Sequence, residues 1–271
     1  MKQSSNKSLA LILVAVISLI VLIVCIVMLV FRSLSSFHEA ENIQKLTEDI
    51  GNSKLEYTTD ESTGGTVLLS PGDSNDDNSV ISKYSLLYSR NQDLVGWISI
   101  DNTKINYPVM QTLDDEEYYL HRDFNKEDAD SGLPFMDTRC IVKKPSTNFL
   151  IFGHNMKNGD MFADLLKYEA KDYYENHKII RFDTIYEEAV YEVIAVFRTR
   201  VAYKDENTFR FYNFIDADSE LDFDYYIANI NALRLYDTGV SAKSDDTLLT
   251  LATCEYSVDD GRFVVVARKI N

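Results

Sequence analysis

The sequence predicts a mainly β protein: a closed or nearly closed barrel of eight short strands with a few inserted helices, held behind one membrane-spanning helix. Three observations carry this prediction. Eight apolar or alternating runs rich in Val, Ile, Tyr and Phe recur between Val95 and Ile270. Helical spacing breaks into that series in only two or three places. Far from them, Leu9 to Phe31 is a run of 23 residues without a charged side chain. Composition agrees with a folded protein, since 14 Phe, 17 Tyr and 45% hydrophobic residues argue against disorder. A formal charge of −16 excludes a nucleic-acid partner, whose phosphates would need Lys and Arg. Three Cys exclude a disulfide-stapled miniature fold.

The apolar run comes first in chain order. At about 1.5 Å per residue it exceeds the roughly 30 Å of a bilayer's hydrocarbon core. A cleaved signal peptide usually has an apolar region of about 7–15 residues and a small-residue cleavage site. Phe31-Arg32-Ser33-Leu34 offers no such site. Residues 9–31 therefore read as an uncleaved anchor, with Cys25 as filler inside it. Lys2 and Lys7 precede the span, and Arg32 is the only basic residue in the dozen that follow. That bias puts residues 1–8 in the cytoplasm and the bulk of the chain outside a cell membrane crossed once.

Residues 32–80 read as a stalk and linker. Ser36-Phe37-His38-Glu39 has the form of a capping box, Ile43, Leu46 and Ile50 follow at helical spacing, and Gly51 is expected to end that helix. Gly64-Gly65, Pro71-Gly72 and the acids Glu61, Asp73, Asp76 and Asp77 then suggest a solvated, flexible stretch. Asp73-Ser-Asn75-Asp-Asp77 hints at a calcium loop, but its sixth position is Asn78 and its twelfth Tyr84. Those positions require Gly and Glu, so the idea fails.

The folded unit spans residues 81–271. Ile81, Tyr84, Leu87 and Tyr88 mark a short amphipathic helix. The strand candidates follow at Val95–Ile100, Ile105–Met110, Leu133–Met136, Asn148–Gly153, Ile179–Phe182, Val190–Arg198, Thr247–Cys254 and Arg262–Ile270. Helical spacing returns at Met161–Tyr168 and over Leu221–Leu235, where Phe223, Ile227, Ile230 and Leu233/Leu235 share a side.

Chemistry gathers at three strand ends. Thr250-Leu-Ala-Thr-Cys254 is an apolar strand that stops at a Cys, just before polar Glu255, Ser257, Asp259 and Asp260. A Cys in such a run is ordinarily a small buried hydrophobe, yet loops at strand ends are where reactive side chains are mounted. Phe149-Leu-Ile-Phe-Gly153-His154 is a second apolar strand, delivering a His behind a Gly. Arg262 opens the last strand, where an isolated Arg normally faces water. Taken together the three suit acyl transfer. A thiol attacks as thiolate and needs a cation nearby, an imidazole exchanges protons near neutral pH, and a guanidinium is a fixed donor for an oxyanion. One short turn separates Cys254 from Arg262, so their strands can be antiparallel neighbours. Spacing alone does not bring His154 to them. Of the other histidines, His38 and His177 read as surface residues and His121 is the rival to His154. Cys140, the rival thiol, reads as a structural residue on a strand.

These residues also resemble a known family. Thr250-Leu-Ala-Thr-Cys254 is similar to the signature of the sortases, membrane-anchored cysteine transpeptidases of Gram-positive bacteria. Val95-Gly-Trp-Ile98, Tyr107-Pro-Val109, Tyr118-Tyr-Leu120, Phe135-Met-Asp137, Phe152-Gly-His-Asn-Met-Lys157, Met161-Phe162, Cys254-Glu-Tyr256 and Gly261-Arg-Phe-Val-Val265 resemble class B members in the same order. So does the long helix placed before the nucleophile strand. The resemblance implies an eight-stranded sortase-type β-barrel. It also implies cleavage of a C-terminal sorting signal after Thr on a secreted protein. The product would be a thioester on Cys254, passed to a peptidoglycan-precursor or pilin amine. A membrane-tethered endopeptidase using water as acceptor is the alternative. His154 would be the acid and base, and Arg262, with a backbone N–H near Glu255, the oxyanion donor. Leu120, Thr253 and Glu255 would lie near the substrate. No metal or organic cofactor is implied. The interval of eight positions from Cys254 to Arg262 is shorter than in some class B members and leaves the turn geometry to be determined.

Overall fold

A computed structural model describes residues 2–56, 79–203 and 205–270. The apolar run begins α1 (Lys2–Glu56), a 55-residue helix. Within it Leu13–Asn52 contains a window of mean hydropathy 3.5 with none of its surface buried, so it is long and apolar enough to cross a membrane by length and composition. The expected break between anchor and stalk does not occur. Ser35 and Glu39 bond to each other at 3.2 Å as an i,i+4 pair inside the helix, where the sequence pattern suggests a cap. Gly51 does not end it either, because a mid-helix Gly costs only about 1 kcal/mol. The Gly- and Asp-rich stretch from 57 to 78, with its Asp73–Asp77 run, lies outside the described residues. By contacts the chain forms two compact units, one up to Gln44 and one from Lys45 onward.

The second unit is mainly β. It runs α2 (Ser82–Arg90), β1 (Leu94–Ser99), β2 (Asn106–Met110), β3 (Phe135–Met136), β4 (Asn148–Phe152), α3 (Lys171–Asn176), β5 (Ile179–Thr184), β6 (Val190–Arg200), α4 (Glu220–Leu233), β7 (Leu248–Cys254) and β8 (Gly261–Lys269). Short 3-10 turns stand at Tyr118–His121, Ala163–Glu169 and Phe211–Asn213. The strands close in the order β1-β2-β3-β4-β7-β8-β6-β5. Closure joins β1 to β5, antiparallel with Gly96 opposite Thr184. Gly is required there, because a Cβ at residue 96 would lie 2.3 Å from the Asp183 carbonyl. Phe149, Phe182, Tyr191 and Phe197 are buried, and so is the whole Phe263–Val266 run, whose successive side chains point to opposite faces of the sheet, so β8 is covered on both.

All eight expected strands form, with local corrections. β3 shrinks to two residues because Gly132, at φ +52°, turns the chain and Pro134 has no N–H to give to a ladder. The helical spacing at Met161–Tyr168 becomes the 3-10 turn from Ala163, since Met161 itself sits at φ +55°. α4 is capped by Ser219, whose Oγ accepts from the Asp222 N–H at 3.3 Å, and buries Phe223, Tyr226 and Ile230. Leu233 and Leu235 are exposed, because the helix stops at Leu233 and the next residues leave its face. Cys140 is not on a strand. It follows the Asp137 turn, buried, with its sulfur accepting from Leu150 N–H at 3.4 Å.

One polar cluster fastens α2 to β5. Asp183 is buried and accepts from Lys83 Nζ at 2.7 Å, Tyr84 Oη at 2.7 Å and the Ala189 N–H at 3.2 Å. Burial and the facing carboxylate push the Tyr84 phenol well above its ordinary range, so it stays a donor. Asp183→Ala would strand the tyrosine hydroxyl and an amide without an acceptor, a loss of about 2–4 kcal/mol. Denaturant unfolding of the full chain in detergent measures it. A loss under about 0.5 kcal/mol would mean that the cluster does not hold α2 in place.

Candidate active site

Three adjacent strands build the site. β4 and β7 run parallel, with Phe152 opposite Ala252. Past that pair, the Gly153 N–H donates to the Ala252 carbonyl at 3.1 Å and the Thr253 hydroxyl donates to the Gly153 carbonyl at 2.7 Å. The two strands therefore leave the barrel in step, and His154 emerges beside Cys254. Asn155 holds this level by donating from Nδ2 to the Cys254 carbonyl at 3.0 Å. On the other side of β7, β8 is antiparallel and pairs Arg262 with Cys254 directly. Neighbouring strands are about 4.8 Å apart, so His154, Cys254 and Arg262 form a row across three strand ends.

The row opens onto a cleft of about 540 Å³, whose lining includes Glu116, Leu120, Phe135, Phe152, His154, Val201, Tyr212, Thr253, Cys254 and Arg262. Gly153 allows the tight packing beneath it, because a Cβ there would lie 2.7 Å from the Phe162 ring. The turn from β7 to β8 is closed by the Glu255 N–H donating to the Gly261 carbonyl at 2.9 Å. A Cβ on Gly261 would lie 2.3 Å from the Glu255 carbonyl, and Asp260 adopts φ +54°. The short interval therefore folds as a compact turn that keeps Cys254 and Arg262 in register.

His154 is half-buried. Its Nε2 lies 2.8 Å from the Leu120 carbonyl, which can only accept, so Nε2 carries a proton and Nδ1 is the nitrogen left to exchange one. Burial lowers its pKa from the ordinary imidazole value, the Leu120 carbonyl pulls the other way, and the neighbouring His121 ring lowers it again. The two rings stand 5.4 Å apart between centroids at 32°. Arg262 uses one donor, Nη1, on its neighbour's carbonyl at 2.9 Å. Among the described residues its remaining donors have no partner.

The expected site residues separate into two groups. His154, Cys254, Arg262, Leu120 and Thr253 all line the cleft. Thr253 does so as a brace between strands, its hydroxyl already committed to Gly153. Glu255 does not line it. Its carboxylate is bound by the Ser257 N–H at 3.0 Å and by the Ser257 hydroxyl, and its N–H closes the turn, so neither is free for a substrate or an oxyanion. Cys140 carries no such chemistry, since burial pushes its thiol up to about 12. His177 donates from Nδ1 to the Tyr173 carbonyl at 2.7 Å and stacks on that ring, 3.9 Å away. Among the residues at the cleft that have no role assigned from the sequence alone are Asn155, and Arg139, which bonds Asp137 and the Tyr212 carbonyl at 2.6 Å each on the cleft wall. Asn155 is within reach of such reasoning, since it directly follows His154. Arg139 is not, because one of its partners lies on a distant segment.

The burial of His154 has a measurable sign. Because the folded environment disfavours the imidazolium, His154 protonates at a pH below the ordinary value of about 6.5. The native state correspondingly loses stability as pH falls through that window. A histidine chemical-shift titration that put His154 above 7 would show that burial does not govern it.

A sortase-domain family model matches residues 98–270. The sortase B of Staphylococcus aureus is 34% identical over 192 residues, covering 69% of this chain and 75% of that protein. The solved Staphylococcus aureus sortase B–substrate complex superposes with a TM-score of 0.71 at 28% identity, over 88% of this chain and 99% of the other. A sortase B structure complexed with triglycine superposes with a TM-score of 0.70 at 28% identity, over 86% and 98%.

Proposed function

The chain belongs to the sortase family, as a class B cysteine transpeptidase, and from that premise we propose that it cleaves a C-terminal sorting signal after Thr and transfers the Thr carbonyl to a cell-wall or pilin amine. The observation that carries this reading is the row of His154, Cys254 and Arg262 across three adjacent strand ends at one cleft. The Cys254 sulfur attacks the Thr carbonyl carbon. Arg262, with donors to spare, steadies the oxygen as it gains charge. His154 gives a proton from Nδ1 to the departing amine and takes one from the incoming amine. Leu120 contributes twice, through a carbonyl that fixes the imidazole and a side chain on the cleft wall. Because burial disfavours the His154 imidazolium, the form that can give a proton is a minority at neutral pH.

The substrates in this reading are secreted proteins that carry a sorting signal, and the acceptor is a primary amine. The triglycine complex of a sortase B is in keeping with such an acceptor. α1 serves as a single membrane crossing with its N-terminus in the cytoplasm, which puts the cleft on the outer face where sorting signals and peptidoglycan precursors meet.

The full chain in detergent, given a panel of sorting-signal peptides with and without triglycine, tests the assignment by intact mass. A thioester is expected on Cys254, and with triglycine an amide product. Cys254→Ala abolishes both while Cys140→Ala costs stability only. An adduct on Cys140 would sink the reading, and a free Thr carboxylate despite excess triglycine would make the protein an endopeptidase.

Arg262 gives a separate test. Lys is not equivalent to a planar guanidinium at an oxyanion, and losing one such donor costs about 100-fold to 1000-fold in turnover. Arg262→Lys is expected to melt near the parent temperature yet lose most transfer activity. Turnover within a few-fold of the parent would return Arg262 to an ordinary surface role.

A further inference from the structure

Counting protons through the second half of the proposed reaction leaves one that His154 does not take. In the first half, sulfur bonds to the carbonyl carbon, the bond to the leaving nitrogen breaks, and that nitrogen takes one proton from His154. In the second half, the acceptor nitrogen bonds to the carbon and sulfur leaves with its electron pair. A primary amine that arrives as an ammonium carries three protons and ends as an amide carrying one. His154, emptied in the first half, takes one of the two released. Water as acceptor poses no such problem: it gives one proton to His154, and the product acid ionises only after the bond is made.

The base within reach is an imidazole. His121 ends the 3-10 turn Tyr118–His121, whose Leu120 carbonyl already holds His154 Nε2. The tilted rings stand 5.4 Å apart between centroids, close enough for a link through one water. The His121 residue is exposed to solvent, which gives a proton its exit. Its backbone is held by the Ala129 N–H, which donates to the His121 carbonyl at 3.0 Å. Other charged groups near this turn are committed or lie elsewhere on the cleft. Arg122 pairs with Asp128 at 3.0 Å and covers the Tyr118 ring. Glu116 shares a hydrogen bond with Asp137, and Glu117 precedes the turn. We propose that His121 is a proton-relay residue for the acceptor half-reaction, taking through one water the surplus proton of an incoming ammonium and passing it to solvent. This rests on the roles given above to Cys254 and His154.

The test compares two acceptors on the full chain in detergent at pH 7, using a sorting-signal peptide that the parent converts to a thioester. Triglycine, with an α-amine of pKa about 8, arrives mostly as an ammonium. Hydroxylamine arrives uncharged and releases one proton fewer. General-base help is worth about 100-fold or more when no alternative exists. Solvent competes here, so His121→Gln is expected to slow transfer to triglycine about tenfold, with transfer to hydroxylamine and hydrolysis changed less than about twofold. The triglycine deficit should close near pH 9, where the amine is already neutral. His121→Asn is the second variant, and rates are normalised to thioester formed, so a fold defect cannot imitate the pattern. A triglycine deficit less than about fivefold larger than the hydroxylamine deficit overturns the proposal, as does the same selective loss in Glu117→Gln without it in His121→Gln. A parent enzyme that forms no thioester on Cys254 overturns the underlying assignment along with it.

Discussion

Two parallel strands finish on the same side of a sheet, and in this chain β4 and β7 do so in register, with Phe152 opposite Ala252. The reactive row depends on that pairing. Had β7 been antiparallel to β4, His154 and Cys254 would have emerged at opposite rims. Parallel neighbours need a long connection, and the chain supplies it with α3, β5, β6 and α4, all placed between residues 153 and 248. Much of the barrel is in this sense the connection that brings two strand ends together. The Thr253 hydroxyl, the Gly153 amide and the Asn155 side chain then carry the register two residues past the ladder.

Around that row the protein uses backbone groups as freely as side chains. The Leu120 carbonyl selects the His154 tautomer, and the Glu255 amide closes the turn that returns Arg262 to Cys254. Both depend on conformations that a Cβ would block at Gly153 and Gly261. The division of labour is consistent: glycines permit close approach, amides and carbonyls fix positions, and the donors of Arg262 that have no partner among the described residues remain available to a reacting oxygen.

Much of the fold is legible in the sequence because the eight strands each carry their own apolar pattern, which survives whatever the neighbours do. Cys254 and Arg262 are legible as a pair because one short turn joins them. His154 needs the β4–β7 pairing, which is non-local and leaves no mark in spacing. The role of Glu255 is hidden for a related reason, since its N–H is consumed by a carbonyl six residues on, and main-chain bonds of that kind carry no side-chain signature. The continuity of α1 escapes the sequence pattern because Gly51 and Ser36 are weak punctuation: each costs a helix little when long apolar and i,i+4 interactions run past it. Apolar neighbours suggest a strand at Cys140, while the Asp137 turn governs its backbone.

The brevity of β3 has a consequence for how the barrel yields. It is joined to β2 by one pair, Met110 with Phe135, and to β4 by two, whereas β8 is stitched along its length to both β6 and β7. Local opening is cheapest where the fewest main-chain bonds must be surrendered. The seam at β3 is therefore the compliant side of the barrel, and Phe135 places it on the cleft wall. The stretch of the barrel that carries Cys254 and Arg262, two and three strands further round, is the stiff one. Resistance to opening is therefore unevenly shared: β7 and β8, which carry Cys254 and Arg262, hold each other along seven paired residues, while the cleft wall at Phe135 rests on three.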